Sequence, residues 1–160
     1  MFKNIGSIGL GAMGGSYAKH LLENNFNVFG IDPDKENSKL FISNGGAILS
    51  NINDLIEKSN VIILSLPTVP IFYNVINEIE NCNYFTDPKI IIDMNTISLE
   101  DKLDAKKKLE KLNITLIDAP VSGTGAQAKT KDLVVMSSGS EKIIDDCKDI
   151  FDSFARKNIF

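Results

Sequence analysis

Histidine is nearly missing from this sequence: one, His20, in 160 residues. Cysteine is almost as scarce, with Cys82 and Cys147 far apart. That spacing excludes a disulfide framework and a metal quartet, so no metal ligands are assigned. Cys147 falls on an apolar helical stripe and reads as a small buried hydrophobe. Basic residues do not cluster beyond Lys106, Lys107 and Lys108, and the formal net charge is -4. No electrostatic footprint for nucleic acid or an anionic membrane follows from this, and the three lysines read as the solvated face of a helix. Long apolar runs are absent as well. Val61–Leu64 is typical of the longest, far too short to span a bilayer. No secretory signal precedes the first strand pattern, so the expected compartment is cytoplasmic. No linker, low-complexity tract or short repeat interrupts the chain. Residues 1–160 therefore read as one domain, large enough to bury roughly two-thirds of its unfolded surface.

What is present is an alternation of strand and helix signals. Ile5–Leu10 reads as a strand, Ala12–Leu22 as a helix, and Asn27–Ile31 as a second strand. Pro33 stands where a helix can begin, and Gly45-Gly46 stops it. Ala47–Leu49 is a short strand and Asn53–Lys58 a short helix. Val61–Leu66 is a buried strand closed by Pro67, followed by a helix over Pro70–Ile79. Ile90–Asp93 is the next strand. Leu99–Leu112 reads as an amphipathic helix with Leu99, Leu103, Leu109 and Leu112 toward the core. Ile114–Ile117 and Leu133–Met136 are strands. Ile143, Ile144, Cys147, Ile150, Phe151 and Phe154 recur at helical spacing, and Asn158–Phe160 reads as a last strand. This order predicts an α/β fold of the Rossmann type: a doubly wound, mostly parallel sheet with helices on both faces. Such sheets bind ligands at the carboxyl ends of their strands.

The first strand ends in Gly9-Leu10-Gly11-Ala12-Met13-Gly14, a G-x-G-x-x-G pattern that opens a helix. In that context the pattern is a dinucleotide signature. Gly9 permits the tight turn, Gly11 leaves room for a pyrophosphate, and Gly14 lets the helix lie close to the sheet. The free N–H groups at the helix start face the phosphates. Asp32 ends the second strand, where a carboxylate accepts hydrogen bonds from both adenosine ribose hydroxyls and repels a 2′-phosphate. NAD is therefore expected over NADP. Asp32-Pro33 also reads as a helix cap followed by proline at the first helical position, and the two roles are compatible. A methyltransferase is a competing reading of the glycine loop. Those folds place an acidic residue before the first glycine, and Phe2–Ile8 contains none.

Four segments, "GLGAMG", "LP" at Leu66-Pro67, "DMNTIS" at 93–98 and "DAPVSG" at 118–123, occur in one order. In that order the sequence resembles the β-hydroxyacid dehydrogenases, the family of 3-hydroxyisobutyrate and 6-phosphogluconate dehydrogenases, over essentially its whole length. The first forty residues also resemble prephenate dehydrogenases, but the histidine-containing loop expected later in that family has no counterpart here. The resemblance implies a cofactor site of Gly9, Leu10, Gly11, Ala12, Met13, Gly14, Asp32, Leu66, Pro67 and Thr96, with Thr96 near the nicotinamide. It implies that Ser122 and Gly123, with Thr124 beside them, bind a small hydroxy-acid substrate. Plainer readings stand beside these. Pro67 can simply end its strand, Ser98 can cap the following helix, and Ser122-Gly123 can be an ordinary turn.

The sequence departs from the family where Thr124, Ala126 and Lys131 replace usual glycines and Leu99 a usual proline. Thr124 adds a side chain beside the substrate pocket that the resemblance implies. The family's general acid/base is a lysine on a helix beyond the nucleotide domain, and no residue of this chain matches it. The expectation is therefore a cofactor domain without a catalytic residue of its own. The helical substrate domain, and with it the oligomer contacts, would lie beyond Phe160. Hydride transfer between a hydroxy acid and a nicotinamide is the expected chemistry of the whole enzyme. The alternative is a non-enzymatic dinucleotide-binding sensor or partner subunit.

Overall fold

β-Branched residues fill the centre of the molecule. Val61, Ile62, Ile63 and Leu64 are wholly buried, as a strand covered on both faces requires. A computed structural model of the chain describes residues 2–82 and 87–160. Its main sheet is built from β1 (Asn4–Ile8), β2 (Asn27–Ile31), β3 (Ala47–Ile48), β4 (Val61–Leu64), β5 (Lys89–Asp93) and β6 (Ile114–Asp118). The strand order is β3-β2-β1-β4-β5-β6, and every pairing is parallel. The order reverses between β1 and β4, which opens a crevice at their carboxyl ends.

Helices α1 (Gly14–Glu23), α2 (Lys35–Ser43), α3 (Ile52–Lys58), α4 (Val69–Glu80) and α5 (Leu99–Glu110) connect these strands. Two apolar cores result. One holds Tyr17 and Leu21 of α1 against Phe151 and Phe154, with the Tyr17 and Phe154 rings 4.8 Å apart. The other holds Leu55, Phe72, Ile76 and Leu109. This is the expected Rossmann-type α/β fold.

A second sheet lies beyond β6, with β7 (Val121–Ser122), β8 (Val134–Met136) and β9 (Lys157–Ile159) in that order. The strands expected near 133–136 and 158–160 belong here, outside the main sheet. β7 pairs antiparallel with β8, and β8 pairs parallel with β9. Between β7 and β8 runs a short helix, α6 (Gly125–Lys129), which the sequence reading left out. Its signature was present: Thr124 and Gln127 form a reciprocal capping box.

Three further expectations are corrected. The expected last helix is two, α7 (Glu141–Asp146) and α8 (Lys148–Phe154), because Cys147 takes a non-helical ψ of 5° between them. Cys147 itself is buried as expected, and burial pushes its thiol up to about 12. In α5, Leu99 and Leu103 are 72% and 46% exposed, while Lys102, Ala105 and Leu109 face inward. Lys102 takes an inward place on α5, where it pairs with the buried Asp93 and the partly buried Asp118. In α2 the cap is Asp34, whose carboxylate accepts from the Glu36 and Asn37 N–H groups. Asp32 is held back toward the glycine loop, and Pro33 precedes the helix.

Candidate functional site

Gly9 closes β1 with a φ of +91°, a conformation that L side chains rarely adopt. A Cβ there would lie 2.1 Å from the Ser65 carbonyl oxygen. At Gly14 it would lie 2.0 Å from the Gly9 carbonyl oxygen. Both glycines are thus required by the turn and by the approach of α1. Gly11 differs: a Cβ there would meet nothing within 4 Å. No packing among the described residues asks for glycine at 11, so the space in front of it is the feature that needs explaining. Helix α1 adds a second contrast. Side chains cap α2, α3, α4 and α5 through Asp34, Asn51, Thr68 and Ser98, but Met13 gives α1 none. The Gly15 and Tyr17 N–H groups donate to the Gly11 and Met13 carbonyls, and no side chain caps the positive end of this helix, whose first residue, Gly14, lines the cleft: a favourable environment for an anion.

Asp32 stands at the end of β2. Its Oδ2 accepts the Leu10 N–H at 2.6 Å, and its Oδ1 accepts the Asp34 N–H at 2.7 Å. Oδ1 also accepts from the Asn37 side chain at 3.4 Å. These bonds fix the carboxylate beside the glycine loop and leave a spare lone pair on Oδ2. Leu10 contributes its backbone to this arrangement, while its side chain is buried in the core.

A cleft of about 570 Å³ runs along these strand ends. Gly9, Gly11, Ala12, Met13, Gly14, Asp32, Leu66 and Pro67 all line it, so the structure brings most of the expected cofactor residues together. Sequence reasoning missed its other walls: Asn37 of α2, Ser50 and Asn51 before α3, and Ile71, Val75 and Glu78 of α4. Those residues carry no motif and are gathered only by the fold. Thr96 is exposed and is not among the lining residues. Ser98 caps α5 as expected, accepting the Asp101 N–H at 3.2 Å.

The "DMN" stretch does different work from that expected of Thr96. Asp93 is fully buried, and its Oδ1 accepts from the Asn95 side chain at 2.6 Å and the Asn95 backbone N–H at 3.1 Å. Asn95 Oδ1 in turn accepts the Leu66 N–H at 2.6 Å. Lys102 Nζ donates to Asp93 Oδ2 at 2.6 Å and to the Asn95 carbonyl at 2.7 Å, and lies 2.7 Å from Asp118 Oδ1. Burial pushes the Asp93 carboxyl above the ordinary carboxylate range, against the pull of Lys102 and Asn95. No sequence signal marks Lys102 as buried, since its partners come from the ends of two strands, β5 and β6, and the turn after β5.

Ser122, Gly123 and Thr124 are exposed and lie outside the cleft lining. Gly123 has φ +144°, and a Cβ there would meet Leu133 Cδ2 at 2.4 Å. Its glycine is therefore explained by the turn itself. Thr124 is engaged in capping α6: its N–H donates to Gln127 Oε1 at 3.0 Å, and its hydroxyl accepts from the Gln127 N–H at 3.4 Å. Lys131, at a usual glycine of the resemblance, sits at φ +60°. His20 is buried, with Nε2 2.9 Å from the Ala128 carbonyl oxygen and Nδ1 3.0 Å from Glu23 Oε2. Both ring nitrogens face acceptors within the fold, which ties α1 to α6 and keeps the imidazole out of the cleft. Among the described residues, no group of three or more His, Cys, Asp or Glu is arranged to hold a metal ion. None of the helices described is long and apolar enough to cross a membrane.

A parallel sheet in this strand order, with a glycine loop and a carboxylate at its crevice, defines a nicotinamide-dinucleotide-binding domain. The chain belongs to the family of the NAD binding domain of 6-phosphogluconate dehydrogenase, whose family model matches residues 4–160. It is 31% identical over 145 residues to 2-(hydroxymethyl)glutarate dehydrogenase of Eubacterium barkeri, covering 88% of this chain and 47% of that protein. It is also 31% identical over 141 residues to the mitochondrial 3-hydroxyisobutyrate dehydrogenase of Homo sapiens, covering 86% and 41%. Among solved structures, 3-hydroxyisobutyrate dehydrogenase of Mycobacterium tuberculosis, with L-serine, superimposes with a TM-score of 0.92 at 25% identity. That match covers 99% of this chain and 54% of the other. The chain spans about half the length of the relatives it matches.

Proposed function

We propose that this chain binds NAD(H) in preference to NADP(H), as the cofactor-binding part of a dehydrogenase acting on a small β-hydroxy acid. One observation carries the reading: the space in front of Gly11, beside an α1 start with no side-chain cap, is required by nothing in the fold itself. A pyrophosphate fits it by size and charge. Gly9, Gly11, Ala12, Met13 and Gly14 would cradle the phosphates, with the Leu10 backbone fixed behind them. Leu66 and Pro67 would form the opposite wall. Asp32 would accept hydrogen bonds from the adenosine ribose, and its charge would repel a 2′-phosphate. When bound, the nicotinamide would supply hydride transfer. Thr96, Ser122, Gly123 and Thr124, at neighbouring strand ends, are assigned to the nicotinamide and substrate side on the family resemblance.

Domain 1–160 would not turn over by itself. The charged side chains lining the cleft are Asp32 and Glu78, and His20 is engaged elsewhere. A missing general acid/base typically lowers a rate by about 10²–10⁴-fold. The proton carrier would then be the family's lysine, supplied from outside these residues.

Titration calorimetry with NADH and NADPH tests the cofactor reading directly. Tighter NADH binding is expected. In Gly11→Val, NADH affinity should fall at least about a hundredfold while thermal unfolding stays cooperative and near the wild-type midpoint, since a Cβ at this position meets no described atom within 4 Å. A folded Gly11→Val protein with unchanged NADH affinity would show that the space before Gly11 is not the phosphate site.

A further inference from the structure

We infer that Lys102 is a positioning residue: from beneath the strand ends it sets the Leu66 wall of the cleft through Asp93 and Asn95, and ties that wall to the start of the 118–124 loop through Asp118. The inference rests on the dinucleotide reading of the cleft.

A buried lysine is an expensive way to pack a helix against a sheet, and an apolar side chain of similar volume often packs equally well. Lys102 is 6% exposed, and α5 turns two leucines toward solvent to place it there. Its ammonium reaches Asp93, the Asn95 carbonyl and Asp118, all within 2.6–2.7 Å. Two hydrogen bonds and an ion pair from one ammonium thus join the ends of β5 and β6 and the turn that follows β5. The network then has one exit toward the cleft. Asp93 fixes both the backbone and the side chain of Asn95, and Asn95 Oδ1 holds the Leu66 N–H at 2.6 Å. Leu66 lines the cleft. Asp118 opens the "DAPVSG" segment, and the Ala119 N–H donates to the Asp93 carbonyl oxygen at 2.9 Å. One cation therefore sets the relative placement of a cofactor wall and a substrate-side loop. Asp32 and the glycine loop, on β2 and β1, stand outside this network.

That separation supplies the test. Asn95→Ala cuts the last link without removing a charge, and Lys102→Met removes the source. Hydrogen exchange of the Leu66 amide is measured in the unliganded protein, with the Ile63 amide as internal reference. NADH and AMP affinities are measured by calorimetry. Both variants should speed Leu66 exchange at least about tenfold relative to Ile63. Both should weaken NADH roughly tenfold, the scale of one well-placed hydrogen bond, and leave AMP within roughly twofold. Lys102→Met leaves a buried carboxylate unpaired. If it does not fold, Asp93→Asn combined with Lys102→Met removes both charges and is read the same way. Leu66 exchange that stays slow in both variants overturns the positioning role alone. Equal loss of NADH and AMP affinity also overturns it, since that is general destabilisation. Wild-type protein that binds neither nucleotide overturns the dinucleotide reading itself.

Discussion

Two glycine-bearing loops leave the carboxyl edge of the main sheet, residues 9–14 after β1 and residues 119–124 after β6. In the first, Gly9 and Gly14 are demanded by backbone contacts near 2 Å, but Gly11 faces open space in a cleft. In the second, Gly123 is demanded by its φ of +144° and by Leu133, and Thr124 caps α6. Every polar choice described in the second loop has a partner inside the fold, except the exposed Ser122. The contrast shows how a binding glycine can be told from a structural one. A glycine whose Cβ would strike the protein, or whose φ is positive as at Gly45, explains itself; Gly11 has neither reason, and its space is open to a ligand.

Substitutions can break this contrast, beginning with the largest effect. Gly14→Val should destabilise the fold by about 3 kcal/mol or more, because its Cβ lands on the Gly9 carbonyl and cannot be relieved by a side-chain shift. Chemical denaturation reads this, and a Gly14→Val protein as stable as Gly11→Val would erase the distinction between the two glycines. Asp32→Ser should weaken NADH by about tenfold to a hundredfold, the range for hydrogen bonds to a charged group, and narrow its advantage over NADPH. Calorimetry with both cofactors checks it, and an undiminished preference would remove Asp32 from the ribose site.

Smaller effects sharpen the second loop. Gly123→Ala should lower stability by roughly 1–3 kcal/mol through backbone strain and the Leu133 contact, without changing NADH affinity beyond about twofold. A large loss of cofactor affinity in a stable Gly123→Ala protein would mean that the two loops share one ligand. Lys131→Gly should raise stability by up to about 1 kcal/mol, because a left-handed φ of +60° disfavours a residue with a Cβ. Denaturation midpoints decide the sign, and a lower midpoint would mean that the Lys131 side chain contributes more than its backbone strain removes.

Much of the frame was legible because its signals are local. The central strands are short β-branched runs between turn residues, and the glycine loop follows directly on one of them. Legibility failed where partners are distant or where two neighbours share a chemistry. Asp32 and Asp34 both suit a helix cap, and only the Leu10 N–H, brought from β1, decides which one caps α2. Leu99 and Leu103 have helical spacing suited to a core, yet α5 buries Lys102 between two carboxylates from other strands. Thr124 and Gln127, three residues apart, carry a capping signal for α6 that stands beside the substrate-side place the resemblance implies for Thr124. The second sheet was hidden because β7 is two residues long and pairs with a strand about a dozen residues away.

The sequence by itself determined the class of fold, the glycine loop and the acid at the end of β2. Each depends on residues adjacent along the chain, where hydrophobic period, glycine spacing and turn chemistry act directly. Only the tertiary structure decided which glycine faces open space, which aspartate lines the cleft, and that a lysine nine residues beyond Asp93 is linked to Leu66 through Asp93 and Asn95. Those outcomes depend on distances between segments far apart in sequence. Burial there turns a surface lysine's character into an internal tie, because an ammonium taken out of water must find its acceptors within the fold.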